Sequence, residues 1–586
     1  MDRALLLIWT DLLRKGKTDM KDTANIRGVA EFLREHSSRR PVSFHMPGHK
    51  GAALYRRFGY EMFMEDFFDY DITEIPGADN LFQPESVIAE TMEKYRDLYD
   101  TAASYLLVNG TSGGLIASIM ACVPSGGELI LARNCHKSVF NALTLGQIRP
   151  VYAYPSVIEE YGIAGAVEPE EIRRLIGEHP NASAVILPSP NYYGICSDIR
   201  AIAEICHAAG IPLIVDQAHG AHLKFFEDQD AADHETAGSP DAAGAAGYGA
   251  AEADVPDAAG SAAAGPDGSA APTLHMPLSA ESCGADLVVN STHKTLGSLT
   301  QSAVLNVCRG GVFAGAVGAS GTAAAAADAD GIDPEVLRRN LFLLEDKLQA
   351  IESTSPSYIL MGSLDINADI LAEHRELLFD EWRRNLTRFY EEAAQIPGLR
   401  LMQPDPDASG AMDLTKINLD MSDCGLTGAQ LEQQLLEQGI YAELTTGDIL
   451  MCMTGIGNAR GDYERLIRAL ADISAKAGQS RDGTLAGVSP EEDGAAAAFD
   501  SPEGGAFLWT KKRQLAEIPK EKELIHLEQC AGRVCASSII PYPPGIPLIC
   551  PGEVIGAEEI DYIKALRAAG EKVIGLDAAG RIAVGK

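Results

Sequence analysis

The region between Leu106 and Val304 alternates short apolar segments with amphipathic ones, and this alternation constrains the fold more than any other feature. The predicted strands are Tyr105 to Val108, Glu128 to Leu131, Ala184 to Leu187, Pro212 to Val215 and Leu287 to Asn290. Amphipathic segments such as Pro169 to Ile176 and Ile199 to Ala209 lie between them. Strands that alternate with helices predict a mainly parallel sheet wrapped by helices. In such sheets ligands bind beyond the carboxyl ends of the strands.

Length and composition predict several domains in this chain of 586 residues. We expect an amino-terminal helical segment at 1–40, a large α/β domain at 41–365, a small α/β domain at 366–476 and a carboxy-terminal domain at 507–586. Acidic low-complexity tracts near 228–275 and 314–331, and a linker at 477–506, interrupt these domains. We predict that all three tracts are solvated insertions, because their composition cannot bury enough apolar area to offset the entropy of ordering.

The bulk composition argues against three classes of partner. A net charge of −35, from 48 basic and 83 acidic residues, opposes binding to nucleic acid. No apolar run approaches the roughly 20 residues that a membrane helix needs. The 11 cysteines are scattered and form no CxxC pair, which favours a reducing cytoplasm and argues against a zinc site. We therefore expect a cytoplasmic protein with no nucleic-acid partner, no membrane partner and no metal.

The first chemical motif is NGTSGG at residues 109–114, between a predicted strand and an apolar, helix-like segment. Glycines allow close approach of the backbone, hydroxyl groups donate hydrogen bonds, and a helix amino terminus favours an anion. Gly110, Thr111 and Ser112 therefore form a candidate phosphate cradle. The alternative is that the motif is only a strand-to-helix turn.

The second motif is RNCHKS at residues 133–138, directly after a predicted strand. The imidazole of His136 can lie flat against an aromatic ring system. The alternative is that His136 only caps the helix that follows.

The third motif is the strand and turn LIVDQAHGAH at residues 213–222. Here an apolar strand ends in the carboxylate of Asp216. Such a carboxylate can keep the ring nitrogen of an electron-withdrawing heterocycle protonated, because it stabilises the positive charge. The alternative is that Asp216 is a helix N-cap.

The fourth motif is STHKTLG at residues 291–297, which brings Ser291, His293 and Lys294 to the end of a short apolar strand. A lysine that lies near apolar groups or another cation has a lowered pKa, and its amine can form a Schiff base with an aldehyde. Together the four motifs supply a phosphate cradle, a stacking ring, a partner for a pyridinium nitrogen and an amine. Pyridoxal phosphate requires these four groups, so the sequence predicts this cofactor.

Several motifs also resemble those of the Orn/Lys/Arg decarboxylase family, the bacterial basic-amino-acid decarboxylases of the aspartate-aminotransferase fold. They are HMPGHKG (45–51), NGTS, RNCHKS, DQAHGAH, STHKTLG and TSPSYILMGSLD (354–365). PPGIPLICPGEVI (543–555) is similar to that family's carboxy-terminal domain. The resemblance spans about 41–586. It implies a PLP-dependent fold type I large domain with a mainly parallel sheet, a small α/β domain and a carboxy-terminal decarboxylase domain.

The resemblance also implies roles for individual residues. Lys294 would bind the cofactor as a Schiff base, Asp216 would pair with the pyridine nitrogen, and His136 would stack on the ring. Lys294 or His293 would return a proton to the substrate carbon. The cofactor-binding residues implied by the resemblance are Gly110, Thr111, Ser112, His136, Asp216, Ala218, His219, Ser291, His293 and Lys294.

The implied activity is decarboxylation of a basic amino acid, with arginine first and lysine or ornithine next, to CO₂ and a polyamine precursor. Two alternatives stay open, namely an aminotransferase of the same fold and a non-catalytic regulator that binds the cofactor. An aminotransferase needs an arginine for the substrate carboxylate, and no persuasive candidate is present. Glu443 and Glu553 are acidic candidates for the cationic end of the substrate, although a structural or surface role suits each of them better.

The sequence departs from the family pattern in two respects. Short members commonly have DEAHG in the third motif, whereas Gln217 replaces the glutamate here. Few residues precede HMPGHKG, which favours the short, biosynthetic-type form. We therefore expect a homodimer or a higher homo-oligomer short of a decamer.

Overall fold

A computed structural model of the chain describes residues 28–227, 274–316, 331–403, 411–482, 511–542, 546–568 and 572–586. The chain divides into two compact units, residues 1–42 and 43–586. The first unit contains the helix Val29–Ser38. The predicted insertions and linker fall mostly on residues 228–273, 317–330 and 483–510, which lie outside the described residues.

The second unit is built around a seven-stranded sheet. Its strands, β1 to β7 in chain order, are Ala103–Leu107, Glu128–Ala132, Arg149–Ala153, Ala182–Pro188, Leu213–Asp216, Leu287–Asn290 and Ala303–Val307. The order across the sheet is β1-β7-β6-β5-β4-β2-β3. Strand β7 is antiparallel to both of its neighbours, and the other pairs are parallel. The carboxyl ends of the parallel strands therefore share one edge of the sheet.

All five predicted strands of this region are present. Leu287–Asn290 has the predicted ends, Glu128–Ala132 is one residue longer at its end, and the other three differ by one or two residues at both ends. Two strands of the sheet were not predicted. Strand β3 contains Pro150, and it lies at the sheet edge, where a missing N–H group is tolerated. The other, β7, is buried and antiparallel, so it does not follow the alternation with helices.

The helices, α1 to α14 in chain order, are Val29–Ser38, Ala53–Arg57, Glu61–Glu65, Val87–Tyr99, Gly110–Cys122, Lys137–Gly146, Pro169–Glu178, Ile199–Ala208, Thr292–Thr295, Pro334–Ile351, Tyr358–Ala393, Gly428–Glu437, Arg460–Asp482 and Ala557–Ala568. Local signals explain several of their starts. Pro169 occupies the first turn of α7, and the Asp198 side chain caps α8 by accepting from the Ala201 N–H at 3.0 Å. Thr427 and Gln430 form a capping box at the start of α12.

Helix α5 packs directly on the central sheet because glycine occupies the point of contact. A Cβ atom at Gly114 would lie 2.5 Å from Leu107 Cδ1 and 2.9 Å from Val289 Cγ1. Gly110, at the start of the helix, has a φ of 70°, which favours glycine. Gly110 and Gly114 of the NGTSGG motif therefore serve the placement of this helix amino terminus at the edge of the sheet.

A second sheet is entirely antiparallel. Its strands, β8 to β11, are Arg400–Leu401, Lys416–Asp420, Leu444–Thr446 and Ile449–Met453, in the order β8-β9-β11-β10. Further along the chain, β12 (Lys522–His526) pairs with β15 (Arg581–Gly585), and β13 (Ile540–Tyr542) pairs with β14 (Lys572–Ile574). The predicted domain boundaries stay predictions.

The carboxy-terminal region is attached to the large sheet through Arg133, which follows β2. Its guanidinium group donates to the carbonyl oxygens of Pro547 and Leu548 at 2.8 and 2.9 Å. It also pairs with Glu553, and both side chains are fully buried. Glu553 therefore has a structural role, in agreement with the sequence-based preference.

Candidate active site

A pocket of about 560 Å³, counting the space open to solvent, lies at the carboxyl edge of the central sheet. The pocket is lined by residues at or after the carboxyl ends of β1, β2, β4, β5 and β6, by Ala164, and by Ile546 from the carboxy-terminal region. The predicted site residues among its lining are Thr111, His136, Asp216, Ala218, His219 and Lys294. Four motifs that are far apart in sequence therefore meet in one cavity.

Lys294 lies on the short helix α9, directly after β6, and its amine reaches into the pocket. Lys294 Nζ lies 3.0 Å from His219 Nε2. Burial lowers the pKa of this amine, and the nearby Lys416 adds to the lowering, whereas Asp216 and Glu443 oppose it. An amine with a lowered pKa is available as a nucleophile at a lower pH than an ordinary lysine.

Asp216 ends β5 and is buried, with 6% of its surface exposed. One oxygen accepts a hydrogen bond from the Ala218 N–H at 3.2 Å. Burial raises the pKa of the carboxyl group, while Lys294 and the Ala218 N–H oppose that rise. A buried carboxylate with few partners is stabilised by a cation or a protonated nitrogen placed in the pocket.

Two histidine rings lie in the pocket wall. His136 caps α6, where its Nδ1 atom accepts from the Ser138 N–H at 3.3 Å, and the same side chain also lines the pocket. The capping role and the pocket position are therefore compatible. Burial, with a contribution from Lys294, lowers the pKa of His136 to about 3, so its ring is neutral. The His219 ring lies 4.6 Å from that of Tyr192, measured between ring centroids.

The candidate phosphate cradle is formed at the amino terminus of α5. The Oγ1 atom of Thr111 lies 3.2 Å from Oγ of Ser291, which joins the first motif to the fourth. Gly110, Ser112 and His293 lie next to pocket residues in sequence, and Ser291 precedes Lys294 by three residues, but none of the four is among the lining residues in the described part of the chain. The His293 Nδ1 atom instead lies 2.7 Å from the Ser302 carbonyl oxygen, and burial lowers its pKa to about 4.

Glu352, at the end of α10, binds the main chain where β1 leads into α5. One carboxylate oxygen accepts from the N–H groups of Val108 and Asn109 at 3.3 and 2.9 Å. Burial raises the pKa of Glu352 to about 7. No sequence motif pointed to this residue, because its position depends on how α10 packs against α5.

These residues fit pyridoxal phosphate. The pocket brings an amine, a buried carboxylate and a hydroxyl-lined helix amino terminus together. In addition, His219 Nδ1 is buried and has no hydrogen-bond partner among the described residues, as expected for an atom that serves a ligand. The residues that would hold the cofactor are Thr111, Ser291, His136, Asp216, His219 and Lys294.

Sequence reasoning missed several lining residues. Asn134, Asn191, Tyr192 and Tyr193 follow β2 or β4, so a search of every position after a predicted strand would have found them. Ile546 had no such signal, because it comes from a distant part of the chain.

Gln217, the residue that departs from the family pattern, belongs to a closed polar network behind the pocket. Its amide nitrogen donates to Glu281 at 2.8 Å and to the side-chain oxygen of Asn290 at 3.0 Å, and its amide oxygen accepts from the Ala280 N–H at 2.7 Å. Glu281 also accepts from the side chains of Asn290 and Asn306 at 2.7 and 2.9 Å. A glutamate at position 217 would place a second carboxylate against Glu281, so an amide suits this position.

The described residues were also considered for a metal site and for a membrane-spanning helix. Within these residues there is no cluster of three or more His, Cys, Asp or Glu side chains that could hold a metal ion. A helix long and apolar enough to span a membrane is likewise not found among them.

Known proteins similar to this chain are found both by sequence and by structure. The family described as Orn/Lys/Arg decarboxylase, major domain, matches residues 29–244, and its carboxy-terminal domain matches residues 507–579. The chain is 27% identical over 545 residues to an arginine decarboxylase of Bacillus subtilis, covering 91% of each chain. It is 22% identical to the lysine decarboxylase LdcA of Pseudomonas aeruginosa, covering 89% of this chain and 73% of that protein.

A solved structure, lysine decarboxylase A from Pseudomonas aeruginosa, matches with a TM-score of 0.64 at 19% identity and covers 95% of this chain and 80% of that one. This likeness confirms the predicted fold, fold type I of the PLP-dependent enzymes. Both family domains match this chain in order, and relatives align along nine-tenths of its length, so the chain is similar to the Orn/Lys/Arg decarboxylase family over most of its sequence.

Proposed function

We propose that this protein is a PLP-dependent decarboxylase of a basic amino acid, with arginine as the first candidate substrate and lysine or ornithine next. The observation that carries the proposal is the Lys294 amine, which lies in one pocket with Asp216, His136 and His219 in a chain similar to this family. The products would be CO₂ and an amine that serves as a polyamine precursor.

Each residue of the pocket has a different role in binding the cofactor. When bound, the cofactor supplies an aldehyde that joins primary amines and a protonated ring that withdraws electrons from the substrate carbon. Lys294 supplies the amine that holds the aldehyde, and Asp216 keeps a proton on the ring nitrogen. Thr111 and Ser291 offer hydroxyl groups to the phosphate at the amino terminus of α5, where the helix dipole also favours an anion.

The geometry favours Lys294 over His293 as the proton donor to the substrate carbon. The Lys294 amine lies inside the pocket, whereas one ring nitrogen of His293 contacts the Ser302 carbonyl oxygen. His219 contacts the Lys294 amine and can exchange a proton with it.

Arginine stands first because relatives named arginine decarboxylase align with nearly the whole chain. The experiment is to incubate the purified protein and PLP with arginine, lysine and ornithine in turn, measuring CO₂ release and identifying the amine by mass. Gas release with one substrate, absent in Lys294→Ala, supports the proposal. Transamination without gas indicates the aminotransferase alternative, and cofactor binding without turnover indicates a regulator.

We also propose a homodimer in the cytoplasm. The segment around α3 exposes Met62, Phe68 and Ile75, of which Phe68 is 90% exposed, and such an apolar surface suits a second copy of the chain. Light scattering coupled to gel filtration tests this, and Phe68→Asp should weaken the association. All 11 cysteines lie in the described residues and are free, which supports a reducing compartment.

A further inference from the structure

A buried polar cluster lies behind His219, on the side away from the pocket. Its members are His222, Asp413, Thr415 and Lys416, and each has no exposed surface. Lys416 is the first residue of β9 in the small sheet, whereas His219 and His222 belong to the loop after β5 of the large sheet. The cluster therefore connects the small sheet to a wall of the pocket.

The side-chain nitrogen of Lys416 donates three hydrogen bonds. It donates to the His219 carbonyl oxygen at 2.7 Å, to Asp413 Oδ2 at 2.7 Å and to Thr415 Oγ1 at 3.1 Å. Three donors meet three acceptors, so the position of the ammonium group is determined by its contacts.

Asp413 is equally well bonded. Its Oδ1 atom accepts from the Thr415 N–H at 3.0 Å and from the Thr415 hydroxyl at 2.7 Å, and it lies 3.2 Å from His222 Nε2. Burial raises the pKa of Asp413, but Lys416 first and His222 second outweigh it and hold that pKa far below its usual range. Asp413 is thus a carboxylate, and the Lys416 side chain that pairs with it contacts the main chain of His219.

Stability alone does not explain this pair. Replacing a buried ion pair by apolar residues of similar volume is often neutral or stabilising, because the desolvation of two charges offsets their attraction. What the pair provides, and apolar side chains cannot, is a directed hydrogen bond to the carbonyl oxygen of His219. The imidazole of that same residue lies against the Lys294 amine.

We propose that Lys416 and Asp413 are positioning residues of the active site, which fix the main chain of His219 and thereby set its imidazole against the amine of Lys294. This role rests on the function proposed above for Lys294. The charge of Lys416 supports it, because this cation lowers the pKa of both Lys294 and His219. The small sheet, through its first β9 residue, therefore takes part in the chemistry of the large sheet.

The first test measures the pKa of Lys294 without cofactor or turnover. Trace acetylation of the protein freed of PLP, over a range of pH and read by peptide mass spectrometry, gives the titration of this amine. Lys416→Met removes a repelling cation and leaves Asp413, so we expect the pKa of Lys294 to rise by about half a unit or more. Asp413→Asn leaves Lys416 without its counter-ion, so we expect the pKa to fall.

Opposite shifts support the proposal, because a purely structural defect would not depend on the sign of the charge removed. Shifts in the same direction, or unchanged profiles in folded variants, overturn it. The matched control is Arg400→Met, which breaks a pair with Asp420 at the other end of β9 and should leave the Lys294 profile unchanged.

The second test uses Asp413→Asn/Lys416→Met, in which no buried charge is left without a partner. This variant should fold, as checked by circular dichroism, even where the single variants do not. We expect kcat for CO₂ release to fall about tenfold or more with KM nearly unchanged, the pattern of a lost transition-state interaction. A folded double variant with wild-type kcat overturns the proposal. Failure of the proposed function is distinct, since the wild type would then release no CO₂ while Lys294 still titrates.

Discussion

Lys294 and Lys50 each follow a histidine in sequence and are partly buried, yet their surroundings differ. The Lys50 amine donates to the main-chain carbonyl oxygens of His45 and Met453 at 2.5 and 3.1 Å. The Lys294 amine contacts a ring nitrogen of His219 and otherwise faces the pocket. Burial lowers the pKa of both, to about 7 for Lys50.

This difference shows that a lowered pKa does not by itself identify a reactive lysine. Lys50 has main-chain partners that fix it in place, whereas Lys294 has room for a ligand. The same contrast separates the neighbours Asp216 and Gln217. Asp216 faces the pocket with one hydrogen bond from the main chain, while Gln217 is bonded on both sides within a closed network. A polar group that lies next to a cavity and has few hydrogen-bond partners is therefore the better candidate for a role in the chemistry.

The largest expected effect is that of Lys294→Ala. We expect decarboxylation to fall below detection while the fold is retained, because the amine that holds the cofactor is lost. Borohydride reduction and peptide mapping of the wild type should locate the adduct at position 294. An adduct at Lys50 instead would show that Lys50 is the reactive lysine and would contradict the role given to Lys294.

Asp216→Asn should retain bound cofactor and lose activity by roughly 10²-fold or more, since a preorganised charge is removed from the reacting ring. The measurement is kcat together with the cofactor content determined by absorbance. Unchanged kinetics in this variant would contradict the role given to the carboxylate.

Gln217→Glu should lower stability by roughly 1–3 kcal/mol, because it buries a second carboxylate against Glu281. Adding Glu281→Gln should recover most of that loss, since one carboxylate and one amide are then present again. The measurement is thermal unfolding of Gln217→Glu, of Glu281→Gln and of the double variant, which together form a double-mutant cycle. If the double variant is no more stable than Gln217→Glu, the network does not explain the amide at this position.

Lys50→Met should have the smallest effect, a loss of about 1–2 kcal/mol in the free energy of unfolding, since two carbonyl oxygens lose their donor. The pKa of Lys50 is lowered on folding, so between about pH 7 and the ordinary lysine value the unfolded chain binds more protons and stability rises with pH. The variant should lack this part of the pH dependence. Lost cofactor binding in a stable Lys50→Met protein would contradict its structural role.

The sequence by itself determined the strands that carry the site. Runs such as Leu287–Asn290 are short, apolar and followed by polar motifs, and parallel strands end at a common edge. That is why the sequence alone could group Thr111, His136, Asp216 and Lys294, although their roles stay predictions.

The tertiary structure alone decided which groups support these residues. Lys416 bonds to the His219 main chain and Glu352 to the Asn109 main chain, and each pair is more than a hundred residues apart in sequence. Ile546 lines the pocket from a region likewise far from the other lining residues. Nothing in the local sequence of these three residues indicates the contact. Periodicity reports which face of an element is buried, but not which partner covers it. The partners are chosen by packing between sheets, where the burial of a charge is tolerated only if a complementary group from another element meets it.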